Sequence, residues 1–285
     1  MKSKFFICLP LLVLGFSCTQ ALKQNELLLK DLEWSSSSPA AGIELSIPSD
    51  SALLQGLMYK ANGTEKHPTL FLLHGYPGNE RNLDIAQVVR SKGWNVVYFN
   101  YRGSWGSSGQ YSIENCVADV VNVVKWTVEQ ERLQIDPDEI VLFGHSLGAF
   151  VSLKAAQQLP QVKKVFALSI FNIAGFFKGD TSLVAIMAKL RKADMDNYLV
   201  LNTPAQEIFA PVLEKPRYFD LSKDYEMLKY KKIIMLDEHN NNKNIADALA
   251  KDNDNFIKYE VWNTDHSFTN KRVSLMKEVL TFISE

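Results

Sequence analysis

Apolar positions along the chain follow two alternating rhythms. Short, nearly unbroken apolar runs rich in Val, Ile and aromatic residues occur at residues 69–73, 94–101, 139–143, 163–170, 233–236 and 256–261. Runs of that length and composition predict buried strands. Between them lie longer stretches with apolar residues at helical spacing. Val117, Val120, Val121, Val124 and Val128 make one apolar face of a helix over 113–132. Further helices are predicted over 80–91, with Asn79 as cap and Gly93 as stop, over 147–159 and over 272–284. Two strands at 43–47 and 53–60, parted by Pro48-Ser49-Asp50, read as an antiparallel pair at the front. Strands alternating with helices at this spacing predict an α/β fold, with a mostly parallel central sheet covered by helices on both faces. Residues 172–230 break the rhythm: Leu183, Ile186, Met187 and Leu190 mark an amphipathic helix starting near Thr181, and no sheet strand is visible. The stretch is either a surface excursion packed on itself or a helical lid over the C-terminal edge of the sheet, and its placement favours the lid.

The first residues follow a different rule. Lys2 and Lys4, an apolar run over 5–16 too short to span a bilayer, and Thr19-Gln20-Ala21 form a leader of the secretory type over residues 1–21. Export, periplasmic or secreted, is expected. Cys18 directly follows the apolar run, where a lipid anchor can be attached, although the preceding Gly-Phe-Ser departs from the usual pattern; cleavage and lipidation both stay open. Residues 22–41, with SSSSPAA near the end, read as a spacer, and the folded domain runs over 42–285. Of three cysteines only Cys116 lies in that domain, so it contains no internal disulfide.

Composition narrows the partners. With 46% hydrophobic and 22% charged residues in 285, the chain can bury one sizeable core. A formal net charge of -1 gives no electrostatic case for nucleic acid or an acidic membrane surface. A small molecule or a peptide is the expected substrate, with the membrane reached only through a lipid on Cys18.

The chemistry concentrates in three segments. Gly144-His145-Ser146-Leu147-Gly148 sits between a predicted strand and a predicted helix, the GxSxG pattern that forces the central serine into a strained, exposed turn. The glycines leave room where strand and helix cross. Leu70 to Glu80 reads LFLLHGYPGNE, a strand ending in a tight turn. Asn263 to Arg272 reads NTDHSFTNKR, between the last strand and the last helix. A serine hydroxyl needs a base to become a nucleophile, and a histidine has the basicity for that at neutral pH. His67 precedes a strand, while His74 and His145 belong to their own motifs, leaving His266 as the candidate base and His239 as its rival.

These three motifs resemble, in content and order, those of the α/β-hydrolase-fold serine hydrolases, and the resemblance covers nearly all of residues 43–285. It implies an acyl-enzyme mechanism on Ser146 with His266 as general base, cleaving an ester or amide bond and requiring no metal or cofactor. It also implies an oxyanion hole made by the backbone N–H groups of Tyr76 and Leu147. In the family the acid follows the strand before the histidine's strand. Here that position falls on Asn240 or Asn241, which cannot carry the charge. Asp237 is the first choice for the acid and Glu238 the alternative, while Asp265 adjoins the histidine and shapes its loop. In NYRGSWGSSG, residues 100–109, Arg102 is expected to tie loops together, with Asp119 supporting the fold. Phe171, Phe176 and Phe177 hint at an apolar acyl pocket. An acyltransferase on the same fold and a non-catalytic binding relative are the competing classes.

Overall fold

The structure is a computed structural model and describes residues 34–285. The leader and most of the spacer lie outside the described residues. Eight strands form one sheet: β1 (Ala41–Ser49), β2 (Ala52–Lys60), β3 (His67–Leu73), β4 (Asn95–Phe99), β5 (Ile135–His145), β6 (Val162–Leu168), β7 (Lys232–Asp237) and β8 (Phe256–Val261). Their spatial order is β1-β2-β4-β3-β5-β6-β7-β8. The front hairpin is antiparallel and β2 meets β4 antiparallel, while all pairs from β4 across to β8 are parallel. The sheet is therefore mostly parallel, as the alternating pattern implied. β4 is buried at every position because helices cover both of its faces, whereas β8, at the edge, leaves much of its surface open.

Crossover direction assigns the helices to faces. The step from β3 to β4 runs one way across the sheet and carries α1 (Leu83–Arg90). The steps β4 to β5, β5 to β6 and β7 to β8 run the other way. They carry α2 (Ile113–Glu129), α3 (Leu147–Ala156) and, beyond the insertion, α9 (Lys243–Ala250). Right-handed crossovers then set α1 on one face and α2, α3 and α9 on the other. The closing helix α10 (Arg272–Ser284) joins α1, tied by Arg272 Nε to Asp84 Oδ2 at 2.8 Å. All ten residues of α3 are buried, including Ser152, which donates to Ala149 O, and Lys154, which pairs with Asp224.

Three helix boundaries differ by three residues from the sequence expectation, one of them the end of α3, which stops at Ala156 rather than residue 159. α1 begins at Leu83 rather than residue 80, after Asn82 in the left-handed region at φ 53°. Residues 78–82 stay in loop conformation, with Arg81 stacked 4.6 Å over the Trp105 ring and the Glu80 carboxylate accepting from Asn82 N at 2.9 Å. α2 starts as expected, its Ser112 cap accepting from Asn115 N at 3.0 Å, but stops at Glu129. Residues 131–133 form a separate 3₁₀ turn.

The stretch between β6 and β7 is helical: α4 (Ile173–Phe176), α5 (Leu183–Lys192), α6 (Ala205–Phe209), α7 (Pro211–Glu214) and α8 (Tyr225–Leu228). Its apolar side, including Ile186, Leu190, Phe209 and Phe219, is continuous with the main core. Leu201 also bridges to Ser104 of the glycine-rich loop. Among the described residues no helix is long and apolar enough to cross a membrane.

Arg102 joins three segments. Its Nε donates to Asp119 Oδ1 at 2.7 Å and its backbone N to Asp119 Oδ2 at 2.8 Å, while Nη2 reaches Ser49 Oγ and Asp50 Oδ2, both at 2.9 Å. Asp119 is completely buried on α2. Removing the guanidinium would leave that carboxylate uncompensated, so Arg102→Ala should cost about 3 kcal/mol. Urea denaturation measures this, and a loss below about 1 kcal/mol would show that the pair is dispensable to the fold.

Candidate active site

β5 ends at His145 and α3 begins at Leu147, leaving Ser146 alone between them at φ 58° and ψ -118°. Few side-chain-bearing residues adopt that conformation, and it costs roughly 1–3 kcal/mol. The surroundings enforce it. Ser146 N continues the ladder to Leu168 O at 2.9 Å, and its carbonyl accepts from Ala149 N at 3.0 Å and from Phe171 N at 3.1 Å. A Cβ on Gly144 would run into the Gly148 carbonyl, and one on Gly148 into the carbonyls of Leu73 and His74. Both glycines are thus required by the close crossing of β3, β5 and α3.

The 74–78 loop lies against the serine. A Cβ on Gly75 would stand 2.9 Å from Ser146 Cβ and 3.4 Å from its Oγ, so the backbone entering Tyr76 abuts the hydroxyl. Leu147, on the other side, heads α3, where a first-turn N–H has no acceptor inside the helix. The loop is braced from behind: His74 Nδ1 pairs with Gly75 O at 2.8 Å, Tyr101 donates to His74 O at 3.3 Å, and Trp105 Nε1 donates to Pro77 O at 2.8 Å. The Tyr76 ring packs edge-on against Tyr198 and Phe209, and its hydroxyl donates to Met195 O at 3.2 Å. A cavity of about 270 Å³ opens beside it, lined in part by Tyr76, Asp196, Tyr198 and Leu201.

His266 reaches this region on the loop after β8. Its carbonyl pairs with His145 Nε2 at 2.9 Å, and the two imidazole rings lie 4.8 Å apart. The residue before the serine therefore holds the backbone of His266. The His266 side chain is half exposed, and its Nδ1 faces Glu238 Oε1 at 2.7 Å.

Glu238, not Asp237, is thus the carboxylate on His266, which corrects the first choice made from the sequence. Parity along the strand explains the difference, since neighbouring strand residues point to opposite sides. Asp237 is the last residue of β7, completely buried, and accepts from Asn242 Nδ2 at 3.1 Å. Its Oδ2 has no hydrogen-bond partner; the nearby Tyr259 hydroxyl turns to His239 O at 3.3 Å instead. Glu238, one residue on, faces the histidine. Asn240 and Asn241, at the conventional acid position, enter a 3₁₀ turn at Asn240–Asn242. His239, the rival base, stands 3.6 Å from Glu238 Oε1, with its Nδ1 accepting from Asn241 N at 3.3 Å. Asp265 accepts from Thr269 N at 2.8 Å and shapes the loop.

Environment separates these groups. Burial pushes Asp237 up to about 6, with the Asn242 hydrogen bond opposing it. Burial would also raise Glu238, but hydrogen bonds from His266 and Ser169 outweigh it and hold the carboxyl at about 2. Burial lowers His74 to about 4 and His145 to about 3, so both rings are neutral. Among the described residues, no three His, Cys, Asp or Glu side chains form a group that could hold a metal ion.

The motifs did not single out Ser169. It follows β6, is buried, and adopts φ 48°. Its Oγ lies 2.5 Å from Glu238 Oε2 and 2.9 Å from His266 Nδ1. The only sequence signal was a polar residue inside the apolar run KKVFALSI.

Known proteins share this fold. The profile of a family described as alpha/beta hydrolase fold matches residues 68–197. The curated relatives include a lysophosphatidylserine lipase, ABHD12, of Danio rerio, 29% identical over 104 residues covering 35% of this chain and 26% of that protein. Another is the human protein ABHD12B, 31% identical over 106 residues, or 36% of this chain and 28% of that one. The chain thus spans about a quarter of the length of these relatives. Among solved structures, Est1E from Butyrivibrio proteoclasticus superposes with a TM-score of 0.64 at 13% identity, covering 85% of this chain and 97% of that one. An esterase of the archaeon Pyrobaculum calidifontis gives 0.63 at 15%, with coverages of 93% and 87%. With the sheet order and the strand-to-helix elbow, these likenesses show that the chain has the α/β-hydrolase fold.

Proposed function

We propose that the protein is a serine hydrolase that cleaves a carboxylic ester or amide through an acyl-enzyme on Ser146. The observation that carries this reading is the strained serine at the start of a buried helix, with an imidazole beside its strand whose Nδ1 is bound by a carboxylate. With the Nδ1 proton held by Glu238, the lone pair of His266 lies on Nε2, the atom free to take the proton from Ser146 Oγ. The oxygen attacks the substrate carbonyl. The N–H groups of Tyr76 and Leu147 stabilise the oxyanion, at about 3 kcal/mol for each donor. Collapse expels the alcohol or amine, protonated by His266, and water repeats the sequence to release the acid. Glu238 stays charged at neutral pH and stabilises the imidazolium; His74 and His145, both neutral there, add no opposing charge.

The esterases and lipase among the relatives favour an ester over an amide. The helical insertion serves as a cover over the C-terminal edge of the sheet, its aromatic side facing Tyr76 through Phe209 and Tyr198. Residues 1–21 support export, by cleavage after Ala21 or with a lipid on Cys18.

Protein lacking the leader should hydrolyse a short p-nitrophenyl ester and be labelled by a fluorophosphonate, and Ser146→Ala should lose both. A folded wild type that takes no label would sink the reading. The acid assignment is tested by paired variants. Glu238→Gln should lower kcat by roughly 10²- to 10⁴-fold, while Asp237→Asn stays within a few-fold; the reverse pattern would return the role to Asp237.

Asp237 also has a stability signature. Its folded pKa of about 6 lies above the unfolded value, so between pH 4 and 6 the folded state keeps a proton that the unfolded state has released. Stability is lost as pH rises through that window, by about 3 kcal/mol in all. Asp237→Asn has no such charge, so relative to the wild type it should gain stability from pH 4 to 6.5. Equal pH slopes in denaturant titrations of the two proteins would refute this.

A further inference from the structure

Ser169 has one hydroxyl proton and two neighbours in the site. The carboxylate is the acceptor of the pair, so the proton goes to Glu238 Oε2 at 2.5 Å. The Nδ1–H of His266 then has two acceptors, Glu238 Oε1 at 2.7 Å and Ser169 Oγ at 2.9 Å. Both carboxylate oxygens and the inner ring nitrogen are thereby closed into one hydrogen-bonded ring.

A glutamate has one more side-chain torsion than an aspartate, and a single hydrogen bond to Oε1 leaves the carboxylate free to swing about it. The second anchor on Oε2 removes that freedom. The serine is itself fixed: it is buried, its backbone N donates to Leu236 O at 2.6 Å, and it holds φ 48°, a region costly for a residue with a Cβ. Its hydroxyl engages only the glutamate and the histidine among the hydrogen bonds of the described residues. Other groups meet the pair from outside: His239 lies 3.6 Å from Oε1, and the His145 ring lies tilted at 4.8 Å from the His266 ring.

We infer that Ser169 is a positioning residue, holding the Glu238 carboxylate and the His266 imidazole in a single orientation so that Nε2 stays aligned for proton transfer at Ser146. The inference rests on the hydrolase reading above. It assigns Ser169 no contact with the substrate.

Two variants test it. Ser169→Gly deletes the hydroxyl while placing at φ 48° the residue that adopts it without strain, and Ser169→Ala deletes the hydroxyl and keeps the strain. Thermal melts establish that each is folded. Both should lower kcat by roughly 10- to 100-fold with KM within about twofold, and slow fluorophosphonate labelling by the same factor. In proton NMR the downfield His266 Nδ1–H signal of the wild type should move or broaden in both variants. Two outcomes overturn the inference: wild-type kcat with an unchanged Nδ1–H signal in the glycine variant, or a loss confined to the alanine variant, which would assign the effect to backbone strain. Failure of the underlying reading looks different, because there the wild type itself neither turns over ester nor takes the label, and the catalytic meaning of Ser169 falls with it.

Discussion

Three backbone segments converge where β5 gives way to α3, at distances that leave no room for a methyl group. The carbonyls of Leu73 and His74 stand where a side chain on Gly148 would be, and the Gly148 carbonyl stands where one on Gly144 would be. This steric limit drives Ser146 to φ 58° and ψ -118°. It also explains why α3 is buried along its whole length: a helix pressed that closely onto the sheet has no solvent face. Its apolar residues secure it, and the strain at Ser146 is small beside the burial of ten residues. The other site elements are placed relative to that crossing. The 74–78 loop leaves β3 beside it, Ser169 leaves β6, Glu238 leaves β7 and His266 follows β8. All therefore lie at the C-terminal edge of the parallel strands, where side chains from successive strand ends meet.

Adjacent carboxylates in this edge receive opposite treatment. Asp237 ends β7 inside the protein with one oxygen unpaired, and burial lifts it to about 6. Glu238 receives hydrogen bonds on both oxygens and is held at about 2. Two groups of the same chemistry, one residue apart, are thus shifted in opposite directions. The histidines show a related separation. His74 and His145 are buried and neutral, while His266 keeps half of its side chain in solvent and has a carboxylate on its inner nitrogen. Of these three, His266 is the one that is both solvent-accessible and hydrogen-bonded to a carboxylate.

Periodicity made the frame legible. The limits of β8 and α10 match the pattern, and the interior strands shift by only a few residues, because uninterrupted apolar runs between helices admit one arrangement. The start of α1 was not legible, since residues 80–82 have helical composition and are held in a loop by Arg81 on Trp105, a contact between segments far apart in sequence. The acid was illegible for a sharper reason. Choosing between Asp237 and Glu238 requires knowing on which residue β7 ends, and an error of one reverses the side to which the carboxylate points. Ser169 carries no motif because a single hydroxyl acquires its role only from partners 69 and 97 positions away.

The insertion is bound to the site by backbone as well as by side chains. Phe171 N donates to the carbonyl of Ser146, so the chain that leaves β6 for the helical stretch is fastened to the strand-to-helix elbow before its first helix begins. At the other end of the contact, the Tyr76 hydroxyl donates to Met195 O, and Asn202 accepts a bond that Tyr111 N also shares with Thr203. These attachments tie the Ser146 elbow, Tyr76 and Tyr111 to residues 171–203. A displacement of residues 171–195 would therefore bear on Ser146 O and on the Tyr76 side chain together. The oxyanion donors proposed above depend on backbone positions within a few tenths of an ångström. The insertion therefore constrains the backbone around Ser146 and Tyr76, and its aromatic packing on Tyr76 through Phe209 and Tyr198 is part of that constraint.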